Sequence, residues 1–466
     1  MWTSPALNPS DSQTDAETTA VNHYASDAGS IREVWALAYP IVIATLSETL
    51  LGVVDTYMVS QLGAVSVAAV GLASMMTWLF YLPFIGLAMG INTFVSQFFG
   101  ARKDASCGPV TWQGLYIGVV CGVLILCGIP LAPVLFDLAA PSAEVHRLGV
   151  QFMQLRLMDG PAVMVTATIA SFFRGIGDTR TPMKVGIAVN VVNIVLNYAL
   201  IYGHFGLPRL EVEGSAIGSA TAGWIGAILS LSLFLRGGLQ RFQTRHVVKP
   251  CWIELRRIIR VGSPIGLQRF LDIGSFVIFS AFIGRLGDAQ LAANQISIQL
   301  MSISYTIGLG VGMAAATLVG QYIGAKRLDL AEKSANNAFK LAMRVMIVIG
   351  LTFLLFPEAV MSIFTTDLDV IRYGREGLVL AAFFQAFDAM AVVYTGALRG
   401  AGDTRWTAMA ALVGAWLIFL PLAYVLAFTW QMNFWGAWLG ATVYIWILGV
   451  ACWYRFRNGV WKTMVI

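Results

Sequence analysis

Long apolar stretches separated by short polar ones run through the chain from about residue 34 to residue 454. Each is close to the roughly 20 apolar residues that a helix needs to cross the hydrocarbon of a bilayer. The runs are continuous rather than alternating, which excludes a membrane β-barrel. Helical spans are predicted at 34–58, 66–98, 111–131, 148–173, 185–203, 214–235, 262–284, 290–322, 341–360, 374–398, 407–428 and 436–454.

Polar segments repeat at a fixed distance. The stretch "VSQFFGARK" at 95–103 returns as "VGQYIGAKR" at 319–327, and "QLGAVSVAA" at 61–69 returns as "RLGDAQLAA" at 285–293. Pro40 and Pro264 stand at the same offset of 224, and "RGIGDTR" at 174–180 recurs as "RGAGDTR" at 399–405. One six-helix unit is therefore used twice. Six crossings separate equivalent points, so both copies face the same way, with their symmetry axis along the membrane normal. The predicted fold is an all-α integral membrane protein, with twelve transmembrane helices in two pseudo-symmetric six-helix lobes. The expected layout is a disordered tail over 1–31, an N-lobe over 32–235, a basic cytoplasmic linker over 236–260, a C-lobe over 261–455 and a short tail over 456–466.

Composition agrees, with 58% hydrophobic residues and only 12% charged ones. Lys and Arg beside a span resist translocation, and here they gather on even-numbered connections and at the C-terminal end. Both termini are thus expected in the cytoplasm, in a bacterial-type inner membrane. The net charge of +5 follows from this topology and gives no reason to invoke nucleic acid. Residues 1–31 lack a basic segment followed by an apolar one, which argues against a cleaved signal peptide. The five cysteines form no CxxC, so neither a disulfide framework nor a zinc site is suggested.

Each repeated heptapeptide falls on a cytoplasmic connection after the fourth helix of its lobe. Its glycines permit a sharp reversal, Asp178 and Asp403 can cap the next helix, and its arginines can anchor at the headgroups. Contacts between lobes through these Arg or Asp side chains are the alternative.

Ionisable residues inside spans are costly and few, and the candidates are Glu48, Asp55, Arg156, Asp159, Arg269, Asp272 and Asp388. Glu48 and Asp55 share one face of the first helix, and Asn193 and Asn197 lie one turn apart on the fifth. Their amide oxygens could join Asp55 around a sodium ion or bond to its protonated form. Arg156 and Asp159 have the spacing of a local ion pair. Arg269 lies one turn before Asp272 and could hold that carboxylate ionised. Interhelical packing is the bland alternative for each acid. Pro40 and Pro264 are either hinges or ordinary early-turn prolines. Met75, Met76, Trp78, Phe80, Met301 and Tyr305 could supply an adaptable cavity, though such side chains also face lipid. The four histidines are scattered, so no nucleophile, base or metal cluster points to an enzyme.

The order and spacing of "LLGVVDTYMVSQLG", "FVSQFFGARK", "GSPIGLQRFLD" and "DAMAVVYTGALRGAGDTR" resemble the multidrug and toxic compound extrusion (MATE) family, from about Arg32 to Arg455. The resemblance implies efflux of small organic, often cationic or amphipathic, compounds in exchange for Na+ or H+, with no other cofactor. It implies that Asp55 belongs to an N-lobe ion site, with Asn193 and Asn197 as its partners. Asp272 and Asp388 resemble C-lobe acids that couple cations or bind substrate. A monomer is expected. The alternative is a flippase for lipid-linked oligosaccharides, which should line its cavity with several cations. Only Arg156 and Arg269 fall away from the ends of the predicted spans, which disfavours it.

Overall fold

A computed structural model describes residues 27–464. The tail expected over 1–31 lies outside the described residues as far as residue 26. From Asp27 the chain is ordered into the first helix: the hydroxyl of Ser30 accepts a hydrogen bond from the Glu33 amide at 3.2 Å. The Glu33 carboxylate in turn accepts one from the Gly29 amide at 2.7 Å, so two otherwise unpaired donors of the helix start are met.

Among the described residues, eleven helical segments are long and apolar enough to cross a membrane. A twelfth crossing, the fourth in order, is built from two shorter helices, Ala143–Leu157 and Gly160–Gly175. The sequence pattern predicts one helix over 148–173, but Pro161 lacks the amide that continuity needs. The chain breaks at Met158 and Asp159, and an ion pair described below holds the break. The eleventh crossing, Thr404–Thr429, contains two π-helical stretches, Val413–Phe419 and Val425–Thr429, around Pro421.

Two helices begin earlier than hydropathy predicts. The seventh starts at Trp252, inside the expected linker, and the ninth at Leu328. Outside the hydrocarbon a helix needs only one apolar face: Ile258 and Val261 are buried in the seventh, and Ala331, Ala335 and Ala338 in the ninth. The rest of the linker packs on the N-lobe, where Trp112, Gln113 and Tyr116 donate hydrogen bonds to the carbonyls of Thr244, Lys249 and Val248.

Each lobe has its own core. Phe94, Phe136, Phe152 and Phe172 pack within the first, and Phe279, Phe384, Phe419 and Trp438 within the second. Val119, Val120, Val123 and Leu124 form an exposed apolar ridge on the third crossing, the face such a helix turns to lipid.

The lobes meet through their second and seventh helices, Ala64–Gly100 and Trp252–Gly284, and through the eighth helix, Asp288–Gly324, against the first and second. Gly90 faces Gly262 so closely that a Cβ on Gly90 would lie 2.9 Å from the Gly262 Cα. Gly86 faces Gly266 in the same way, one turn along each helix. Side-chain hydrogen bonds between the lobes, among the described residues, all fall in the half of the molecule nearer the chain termini. Toward the other end, Leu50, Val53 and Tyr57 of the first helix are exposed. Hydrogen bonds between the lobes thus close the terminus side, and among the described residues no side-chain hydrogen bond joins the lobes on the opposite one.

Candidate functional site

The repeated heptapeptides lie where the lobes close. Gly177 and Gly402 have φ of +87° and +95°, the left-handed conformation that lets glycine reverse the chain there. Asp178 caps the fifth helix, accepting bonds from the Thr181 amide at 3.0 Å and its hydroxyl at 2.6 Å. Asp403 departs from the expected capping role and pairs instead with Arg455 at 2.8 Å.

The heptapeptide carbonyls take part in joining the lobes. Gln97 donates to the Gly400 carbonyl at 3.1 Å, and Gln321, its counterpart in the other repeat, donates to the Gly175 carbonyl at 2.9 Å. Thr93 adds a bond to the Arg399 carbonyl at 3.0 Å. The contact between lobes is therefore made by backbone carbonyls, where the sequence suggested Arg or Asp side chains. A repeated glutamine met by a repeated loop is a signal that could have been read.

In the N-lobe, the first helix and the fifth, Arg180–Tyr202, bring Asp55, Asn193 and Asn197 together. The Asn197 amide donates to Asp55 Oδ1 at 2.9 Å and to Asn193 Oδ1 at 2.8 Å. Asn193 passes the chain on to Ser219 at 3.0 Å, and Asn190 donates to Ser47 at 2.8 Å. Asn190 and Ser219 were not singled out from sequence, although Asn190 opens the same "NVVNIVLNY" pattern. Asn197 is wholly buried, and its own Oδ1 lacks a hydrogen-bond partner among the described residues. Glu48 does not join this group, since its charged neighbour is Arg174.

Arg156 and Asp159 form an ion pair of 2.5 Å at the break in the fourth crossing. The Tyr81 hydroxyl lies 2.5 Å from the second carboxylate oxygen, so both oxygens of this buried acid are used.

A cavity of about 360 Å³ lies on the C-lobe face at the junction of the lobes: Asp272 and Asp388 both line it, and the N-lobe contributes Met89, Asn92, Thr93 and Arg174. Its walls are largely apolar and include the aromatic side chains of Phe276, Tyr305, Phe384 and Trp438. Met301 and Tyr305 reach it as expected, whereas Met75, Met76, Trp78 and Phe80 do not; Met75 and Trp78 are about half exposed elsewhere. Arg174, Arg269 and Arg399 line the cavity as well. Sequence reasoning placed Arg174 and Arg399 at the headgroups, but both line the cavity at the lobe junction. Arg269 makes no ion pair with Asp272; the acid has both Arg399 and Arg269 as charged neighbours and stands against Gln268. Gln268 itself accepts a bond from Arg399 at 2.8 Å.

Pro40 lies inside Ile31–Ser60 and Pro264 inside Trp252–Gly284. Neither is an early-turn proline. Pro83, inside the second helix, is a third interior proline that sequence reasoning did not single out.

Two internally similar lobes, buried acids in each and a cavity at their junction define a multi-pass membrane carrier. The MatE family model matches residues 40–199 and 264–425, one block in each lobe, and the chain belongs to the multidrug and toxic compound extrusion family. It is 27% identical over 438 residues to a probable multidrug resistance protein NorM of Thermotoga maritima, covering 93% of this chain and 94% of that one. A protein of the same name from Oceanobacillus iheyensis is 29% identical over 411 residues, covering 87% of this chain and 91% of the relative. The fold matches the outward-facing conformation of a multidrug resistance MATE family transporter with a TM-score of 0.84 and 19% identity, over 93% of this chain and 97% of that one. The flippase alternative was disfavoured by a scarcity of intramembrane arginines, and that ground falls away with three arginines lining the cavity. Family membership is what speaks against it.

Proposed function

We propose that this protein exports small organic compounds, many of them cationic or amphipathic, in antiport with H+ or Na+ by alternating access. The names of the relatives, multidrug resistance proteins from bacteria, support the export of drugs. The aromatic cavity supports it too, because rings accept many shapes. The observation that carries the coupling is the chain from Asp55 through Asn197 to Asn193. An acid held there by amide donors presents a negative charge away from bulk water, the state that a cation neutralises. Taking up a proton needs no rearrangement of the amides. Coordinating sodium needs the Asn197 amide to turn its unpartnered oxygen toward the ion, since hard cations take oxygen ligands.

Neutralising Asp55 removes what the Asn197 amide holds on to, and the helix that carries Asp55 also carries Pro40. An ion that binds one arrangement better than the other shifts the balance between them. The outer half of that helix packs within the N-lobe, where Met58 and Val59 meet Ile201, while its inner half packs against the C-lobe through Val42 and Gly310. The closed terminus side then corresponds to an outward-facing posture with both termini in the cytoplasm, in a bacterial-type plasma membrane. One chain suffices, because both acid groups and the cavity lie within it.

The test is ethidium export from proteoliposomes under separately imposed proton and sodium gradients. Asp55→Asn, Asp272→Asn and Asp388→Asn are compared with the wild type. Asp55→Asn should lower gradient-driven export at least about tenfold, the scale of a typical coupling energy. Full export by all three variants would refute the site assignment, and export without either gradient would refute antiport.

A further inference from the structure

The C-lobe cavity carries more positive charge than a pocket for plain cations requires. Arg174, Arg269 and Arg399 line it against two carboxylates, Asp272 and Asp388. Guanidinium groups stay charged at any physiological pH, so the lining has a net charge of +1 (3 − 2), which rises when either acid takes a proton. Glu48 lies outside the lining and faces Arg174, which leaves Arg269 and Arg399 to share Asp272. Arg269 is also a charged neighbour of both Arg174 and Arg399, so the three guanidiniums cluster. None of the three is in an ion pair among the described residues. The Nε atoms of Arg269 and Arg399 are buried without a hydrogen-bond acceptor among the described residues. Like charges gathered in a desolvated wall, with donors unused, call for an anion, and a planar guanidinium suits the two oxygens of a carboxylate.

We propose that Arg269 and Arg399 form an oxyanion subsite in the C-lobe cavity, which takes the carboxylate of an aromatic zwitterionic substrate while Asp388 takes its cationic group. The proposal deepens the reading of this protein as a drug exporter and rests on it. A zwitterion reconciles the arginines with antiport. For a plain anion, a proton arriving at Asp388 would tighten binding and oppose exchange. For a zwitterion, the same proton removes the partner of the cationic end and favours release. Aromatic side chains in the same lining, including Phe276, Phe384 and Tyr305, suit a flat ring system.

The test uses a matched pair of dyes: rhodamine 110, which has a free benzoate, and rhodamine 123, its methyl ester. Both titrate the purified full-length protein in detergent, followed by fluorescence anisotropy. Wild type should bind the acid at least about tenfold tighter than the ester, the scale of a charge-assisted hydrogen bond. That ratio should fall to about one in Arg269→Gln and recover in part in Arg269→Lys, which restores the charge without the fork. If Arg269 served only as a structural counter-charge for Asp272, both dyes would weaken together and the ratio would hold. An unchanged ratio in a monodisperse Arg269→Gln protein, or equal binding of the two dyes by wild type, overturns the proposal. Inorganic phosphate that competes with both dyes alike would identify a free anion as the occupant and overturn it as well. Ethidium export by wild type reports separately on the drug-export reading. A protein that prefers the acid yet does not export ethidium would keep the subsite and refute that reading.

Discussion

Asp159 shows how one residue can hold a broken span together. Its carboxylate is buried, and it meets the Arg156 guanidinium on one oxygen and the Tyr81 hydroxyl on the other. Asp159→Ala leaves Arg156 without its partner inside the lobe, a change that typically costs about 3–5 kcal/mol. The expected outcome is a clear drop in the unfolding temperature of the purified protein, with a smaller drop for Tyr81→Phe. An unchanged unfolding temperature for Asp159→Ala would mean that the pair contributes nothing to stability. The Arg156–Asp159 spacing was legible in the sequence because helix neighbours three apart meet whatever surrounds them. The inward turn of Arg174 and Arg399 was not, because the same letters at a helix end serve a headgroup as well as a cavity. Asn190 and Ser219 escaped notice for a related reason: a small polar side chain in a span shows its purpose only once its partner helix is in place.

At the scale of helices, the crossing of the second and seventh carries the junction between the lobes. Gly86 and Gly90 on one helix meet Gly266 and Gly262 on the other, so the backbones touch with no side chain between them. Gly90→Val would force the helices apart on the terminus side. It should leave the protein folded in the membrane but unable to close that side. The expected measurement is faster labelling of a cysteine placed at the junction by a membrane-impermeant thiol reagent applied from the terminus side, together with loss of export. Labelling at the wild-type rate would show that the contact is not what seals the junction. The internal repeat made equivalent helices recognisable from sequence alone, and the periodic glycines were there to be read. Which glycines face each other is set by how the lobes dock, and that information is spread over both halves of the chain.

For the molecule as a whole, closure on one side and opening on the other is a statement about two bodies. Gln97 meets the Gly400 carbonyl and Gln321 meets the Gly175 carbonyl, a symmetric pair of latches between the lobes. Close by, Tyr322 of the C-lobe donates to the carboxylate of Glu33, with its hydroxyl 2.8 and 2.9 Å from the two oxygens. A disulfide between cysteines introduced at positions 97 and 400, in a background without the five natural cysteines, should hold the terminus side shut. Export should stop on oxidation and return with a reducing agent. Undiminished export by the cross-linked protein would exclude the rocking of lobes as the transport motion.

That the chain lives in a bilayer, crosses it about twelve times and repeats one half in the other is readable from the order of its residues. These follow from the length of apolar runs and from self-similarity, which are local or periodic properties. The sequence also singled out Asp55, Asn193, Asn197, Asp272 and Asp388, because charge and amide groups are scarce inside spans and therefore conspicuous. It took the packed helices to show that the first three share one hydrogen-bonded chain, that the last two share a cavity with three arginines, and that the fourth crossing is broken. Those outcomes depend on which helix faces meet, and packing between segments distant in sequence leaves no periodic trace in any one of them.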